Sequence, residues 1–271
     1  MATTAVLLAT LAVLFVAIGF VIAGPAGATI AFALSLLVNL VAYWHADTFV
    51  LRIYKAKPLS DPKLEAVMAE LARDAKLPAP KLYRVPSTVP NAFATGRNPE
   101  HAAIAVTDGL LAHLSQREIR AVLGHELGHV KNRDMLVASM AGVLAGAIGY
   151  LAQIGYWMML SRDSRERNPL ALLLIVICAP LAALLVRLAI SRRREFAADN
   201  TGAHLSKDPE SLASALKKIE WLANPGALRG PASTGHLWIS NPFGNDWFSQ
   251  LFRTHPPVSR RVERLEKIEL K

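Results

Sequence analysis

Two histidines four residues apart, with a glutamate beside the first, stand in the stretch AVLGHELGHVKNRD at 121–134. On a helix this spacing puts His125 and His129 about one turn apart on a single face, where their imidazoles can converge. Glu126 lies about 100° around the same helix, so it can face an open coordination position without occupying it. The pattern is that of a hydrolytic zinc helix carrying two ligands and its own base. A catalytic zinc needs three protein ligands and one open place for water, so one ligand must come from elsewhere. Glu195 is the best candidate. Asp199, one turn later on the same face, can accept a hydrogen bond from the outer ring nitrogen of a ligand histidine and fix its tautomer. Spacing alone leaves an even alternative, in which Glu195 offsets Arg192, Arg193 and Arg194 on a solvated helix face. With three ligands in place, Glu126 would take a proton from water, hydroxide would attack a polarised carbonyl, and the proton would pass to the leaving amine.

The elements that must hold these groups are legible nearby. Ser115-Gln116-Arg117-Glu118 is a capping box that opens the motif helix, with Ile119, Val122 and Leu123 as core contacts beside the histidine face. Upstream, Ser60-Asp61-Pro62 starts an amphipathic helix over 63–76, with Leu64, Val67, Met68 and Leu71 on one face. Three short β-prone stretches at 81–85, 91–95 and 102–107, punctuated by Pro, Asn and Gly, predict a small sheet. Downstream, 191–206 is helical in pattern and Asp208-Pro209 starts another helix to about Leu222. Residues 224–256 are rich in Gly, Pro, Asn and Ser, a long irregular segment. A last helix begins near Val258.

Charge is distributed unevenly. Residues 1–44 and 135–160 carry no Asp, Glu, Lys or Arg, and 169–190 carries only Arg187. Each run is long enough to cross a hydrocarbon core, which needs roughly 20 apolar residues. The first is too long for one span and breaks at Gly24-Pro25-Ala26-Gly27, so it reads as a hairpin. A cleaved signal peptide is the alternative, but it lacks a basic leading region and a second apolar stretch follows at once. The net charge of +9 is no nucleic-acid signature, because the basic residues flank the apolar runs and no aromatic residues interleave with them. Arg52, Lys55, Lys57, Lys131, Arg133, Arg187 and Arg192 to Arg194 put those flanks in the cytoplasm by the positive-inside rule. The expectation is four spans with both polar segments cytoplasmic. Gly142-x-x-x-Gly146 in the third run is a weak helix-packing pattern. The one cysteine, Cys178, cannot staple a fold and fits a reducing compartment. No phosphate-binding glycine loop is visible, which predicts action without nucleotide.

Taken in order, the N-terminal hairpin, NAFATG at 91–96, HELGH at 125–129, two further apolar runs, EFAAD at 195–199, ISNPF at 239–243 and THPP at 254–257 followed by Arg261 run along nearly the whole chain. The set resembles the HtpX heat-shock membrane proteases, relatives of the type I CAAX prenyl proteases and, more distantly, of the thermolysin-like zinc peptidases. The resemblance implies a mainly α membrane protein with four transmembrane helices and an α+β zincin-like (gluzincin) cytoplasmic protease domain carrying a small β-sheet. Its parts would be a hairpin at 1–44, protease segments at 45–134 and 191–271, and a second hairpin at 135–190. It implies one zinc ion on His125, His129 and Glu195, with Glu126 as base and Asp199 behind a ligand histidine. It makes NAFATG similar to an edge strand that binds substrate backbone, with Asn91 and Ala92 as contacts; an ordinary strand end with Asn in a turn is the alternative. His255 or Arg261 would steady a developing oxyanion, although His255 before two prolines could equally be a turn residue.

The implied function is zinc endopeptidase action on damaged or misfolded membrane proteins at the cytoplasmic face of a bacterial inner membrane. The partners would then be polypeptides and the lipid bilayer, not nucleic acid. Two rivals remain. A prenyl-protein processing endopeptidase shares the chemistry but encloses its site with more membrane helices. A non-catalytic metal-binding membrane scaffold would not need Glu126 and would close the fourth position.

Overall fold

The computed structural model describes residues 2–141, 148, 192–222 and 256–270. Helix α1 (Ala2–Ile53) is two helical arms broken at Ala23 and Gly24, the latter at φ +58, with Pro25 immediately after. A straight helix would separate Gly19 from Gly27 by about 12 Å. Instead a Cβ on Gly19 would lie 2.4 Å from the Gly27 carbonyl oxygen, so the arms fold back on each other. The chain thus reverses direction at Ala23 and Gly24. Only glycine permits so close a backbone approach and the left-handed turn at 24. Phe20, Ile30, Phe32, Leu37 and Leu40 are exposed along α1. Among the described residues one helical segment, Ala23–His45, is long and apolar enough to cross a membrane. Most of the third apolar run, the whole of the fourth, Gly142-x-x-x-Gly146, Cys178 and residues 224–255 lie outside the described residues.

After α1 comes a four-stranded mixed sheet of order β1-β2-β4-β3. Strands β2 (Lys81–Val85) and β4 (Ala103–Thr107) run parallel in register Lys81 to Ala103. Strands β1 (Lys57–Pro58) and β3 (Ala92–Thr95) are antiparallel at the two margins. The β-prone stretches thus match, while the two-residue β1 is too short to show a pattern. Between them, α2 (Pro62–Ala75) is capped by Asp61, whose carboxylate accepts from the amides of Lys63 and Leu64, and ends at Lys76 in the left-handed conformation. It buries Met68, Leu71, Ala72 and Ala75. A bidentate pair from Arg120 to Glu70, both arms 2.9 Å, ties it to the motif helix. The loop past β3 is held to the hairpin by Arg97, whose guanidinium lies 4.9 Å from the Trp44 ring centroid.

A short helix α3 (Asp108–His113) leads into the motif helix α4 (Gln116–Lys131). The capping box forms as the sequence predicts: Ser115 Oγ accepts from the Glu118 amide and the Glu118 carboxylate accepts from Ser115 N–H. Glu118 also accepts from Ser214 Oγ at 2.7 Å and Lys218 Nζ at 2.8 Å on α6 (Pro209–Leu222). These bonds hold its pKa at about 2 against the opposing effect of burial. Helix α5 (Arg192–Ser206) lies across α4, and α7 (Val258–Leu265) buries Val258, Arg261, Val262 and Leu265 on one face. One apolar core runs through Ile104, Leu110, Leu123, Leu127, Leu216 and Val262, and a second joins Val50 and Tyr54 of the α1 end to Val85, Phe93 and Ala105 of the sheet. The first therefore draws side chains from both sides of the apolar runs.

Contact between α4 and α5 is unusually close, and glycines permit it. A Cβ on Gly202 would sit 2.6 Å from the His125 backbone nitrogen; one on Gly128 would meet Ala198 at 3.1 Å. Both glycines sit in helix interiors, where each costs roughly 1 kcal/mol relative to alanine. Backbone proximity is what that cost secures. It brings the acids of α5 within reach of the histidines of α4.

Candidate metal centre

His125 and His129 project from α4 as the spacing predicts, with ring centroids 4.8 Å apart and planes at 88°. Glu195 enters from the first turn of α5 and is buried. One ligand atom from each of His125, His129 and Glu195 falls within 4.8 Å of the others. His129 Nε2 and Glu195 Oε1 are already 3.6 Å apart. Tetrahedral zinc with bonds near 2.1 Å needs donor separations of about 3.4 Å, so side-chain rotations of about 1 Å would close the set.

Behind the donors sits a buried charge network. Asp199 Oδ1 lies 3.0 Å from His125 Nδ1, although off the line of a good hydrogen bond. The guanidinium of Arg261, with no exposed surface, forks onto the same carboxylate: Nε donates to Oδ2 at 2.8 Å and Nη2 to Oδ1 at 2.6 Å. Burial opposes ionisation of Asp199, but Arg261 and His125 outweigh it and bring its pKa to about 2. Arg261 keeps its charge against burial through Asp199 and Glu195. Its Nη1 is 3.4 Å from Glu195 Oε2, and its Nη2 is 3.4 Å from His125 Nε2, so it borders the donor set itself.

A second carboxylate, not singled out by the sequence, serves the other histidine. Asp134 Oδ2 is 3.5 Å from His129 Nδ1, and Asp134 Oδ1 is 3.2 Å from Arg194 Nε. Burial disfavours charge on His129, but Asp134, Glu195 and Glu126 prevail and raise its pKa to about 9. Glu126 is buried beside them, 3 % exposed.

The residues fit a divalent cation on two grounds. Four carboxylates, Glu126, Asp134, Glu195 and Asp199, are gathered with two imidazoles and the two guanidiniums of Arg194 and Arg261, a buried acid-rich cluster of the kind that holds a metal ion. His125 Nδ1, Asp134 Oδ2 and Arg261 Nη1 are buried without a hydrogen bond, and buried polar atoms so grouped call for an explanation such as an ion. Two imidazole nitrogens and a carboxylate form the His2Glu set of open catalytic zinc sites.

The substrate-binding candidates fare differently. Asn91 immediately precedes β3 and Ala92 begins it, at the margin of the sheet, and among the described residues no strand pairs with the far side of β3. Yet both residues are only 1 % exposed, so this margin is not the open edge that a bare edge strand suggests. His255 lies outside the described residues. Arg261 is inside the centre but spends two of its nitrogens on Asp199.

Fold and donor set together are those of a metallopeptidase, with the third candidate donor on a helix packed on the motif helix. Peptidase family M48 matches residues 58–269, and the chain belongs to that family. It is 47 % identical over 275 residues to the Protease HtpX homolog of Pyrococcus abyssi, covering 98 % of this chain and 95 % of the relative. It is 46 % identical over 276 residues to that of Syntrophobacter fumaroxidans, covering 98 % of each. A crystal structure of S. mikatae Ste24p shares the fold at a TM-score of 0.53 and 19 % identity, over 95 % of this chain. The chain spans 62 % of that protein's length. The expected relationship holds, and the protein is a membrane-associated metalloprotease acting on polypeptides.

Proposed function

We propose that the chain is a zinc endopeptidase in which His125, His129 and Glu195 hold the ion, Glu126 is the general base, and Asp199 orients His125. The observation that carries this reading is the convergence of three donor atoms within 4.8 Å beside a buried Glu126. Zinc bound there supplies Lewis acidity, lowering the pKa of water and polarising a carbonyl. Glu126 takes the proton from the attacking water and delivers it to the leaving amine. Arg261 fixes Asp199 with two nitrogens and keeps Nη1, which lacks a hydrogen bond, to donate toward charge developing on the substrate oxygen. A substrate backbone aligned along β3, past Asn91 and Ala92, would lie beside α4.

The membrane part of the proposal rests on the hairpin and on charge. Tyr43 and Trp44 stand at the end of the Ala23–His45 segment, where aromatic residues favour the bilayer interface. Trp44 contacts Arg97, two residues beyond β3. That contact supports a site held close to the membrane surface. With four spans and basic flanks inside, the enzyme would cleave cytoplasmic segments of damaged inner-membrane proteins without nucleotide. Glu126→Gln tests the chemistry: zinc should stay bound while casein hydrolysis falls by about 10³-fold or more. Near-normal turnover in that variant would reject Glu126 as base.

A further inference from the structure

The two ligand histidines are backed in parallel ways, by carboxylates that are each gripped by an arginine. On one side His125 Nδ1 faces Asp199 at 3.0 Å, and Arg261 holds Asp199. On the other, His129 Nδ1 faces Asp134 at 3.5 Å, and Arg194 holds Asp134 at 3.2 Å. We infer that Asp134, steadied by Arg194, is a positioning residue for His129 as a metal ligand, a role that rests on the zinc reading above.

Several features converge on this assignment. Asp134 comes after α4 has ended, because Asn132 caps the helix and Arg133 turns at φ +58. The turn swings Asp134 back toward the His129 ring, at the start of the helical stretch 134–141. Arg194 precedes Glu195 on α5, so neighbouring residues of one helix reach the carboxylate behind His129 and the ligand position in front of it, 3.6 Å from Nε2. His129 is thereby approached at both of its ring nitrogens. Asp134 Oδ2 is buried without a hydrogen bond at ideal geometry, which leaves it an acceptor for Nδ1–H once Nε2 is committed to a cation. A carboxylate in that place fixes the tautomer with Nε2 free to ligate and raises the basicity of the ring; loss of such a partner costs roughly 10- to 100-fold in metal affinity.

The test compares full-length proteins in detergent, all carrying Glu126→Gln to limit self-digestion, stripped of metal and titrated with zinc against a chromophoric chelator. Asp134→Asn keeps the shape and removes the charge. It should raise the zinc Kd about 10-fold or more, leave the melting temperature of the metal-free protein unchanged, and alter the visible spectrum of the cobalt-substituted centre. Arg194→Gln should act in the same direction by about threefold. An unchanged zinc Kd in Asp134→Asn would overturn the assignment, as would a weaker Kd matched by a collapsed melting temperature with Arg194→Gln showing no effect. Should the parent protein itself bind no zinc, the zinc reading fails before Asp134 is tested, so the two failures are told apart.

Discussion

The two ends of α4 each bury a glutamate, and they treat charge in opposite ways. At the start, Glu118 receives bonds from Ser115, Ser214 and Lys218. Eight residues later, Glu126 lies among His125, Asp134 and Arg261, each of which keeps a buried atom without a hydrogen bond. The first end is electrostatically complete. The second leaves polar atoms unsatisfied, as the proposed metal centre requires. Saturation of polar groups marks where the helix is anchored, and incompleteness marks where it works.

That contrast can be broken most severely at the unfinished end. Glu195→Ala removes one of three donors and should reduce zinc content below about one-tenth of an equivalent per chain, abolishing proteolysis. Metal analysis of the purified protein would expose a different third ligand if occupancy stayed near one. Next in size is Gly202→Ala. Its methyl would fall 2.6 Å from the His125 nitrogen, so α5 must move off α4, costing about 1–3 kcal/mol and weakening zinc binding together with stability. A variant as stable and as tight for zinc as wild type would show that helix contact does not set the ligand spacing.

The finished end should answer differently. Glu118→Ala should cost about 1–3 kcal/mol through loss of the cap and of the bonds to α6, while the fraction that remains folded keeps its zinc affinity. Acid titration sharpens this further. The folded pKa of Glu118 lies below its ordinary 4.5, at about 2. The stability it contributes is therefore complete above about pH 4.5 and drains away as pH falls toward 2. Melting curves of wild type and Glu118→Gln should differ near neutrality and converge through that window; parallel curves would assign the acid sensitivity to other groups.

Local features were legible in the sequence. Ser115 and Glu118 sit three apart, and His125 and His129 four apart, so helical geometry alone predicts how each pair meets. The strands 81–85 and 103–107 and the start of α2 at Asp61-Pro62 follow from turn residues and β-prone composition. What escaped was non-local or masked by a break. Asp134 reaches His129 only because Arg133 reverses the chain, and helical spacing gives no rule for that turn. Arg261 was noted as a substrate-facing donor, but its fork onto Asp199 spans 62 residues and has no spacing signature. Gly202 reads in sequence as a flaw in a helix; only the position of α4 explains it. The rule that each ligand imidazole needs an outer partner would have prompted a search for Asp134.

The core and the centre both join residues made early with residues made late, and this orders events during synthesis. His125 and Glu126 leave the ribosome long before Arg261, which is 136 residues downstream of His125. At 5–20 residues per second, about 7–27 s pass between them. In that interval the motif helix has neither Glu195 at first nor, later, the guanidinium that grips Asp199, and α5 and α6 lack the cover of α7. The nascent chain thus carries an incomplete protease while it and its neighbours are still unfolded and most susceptible to cleavage.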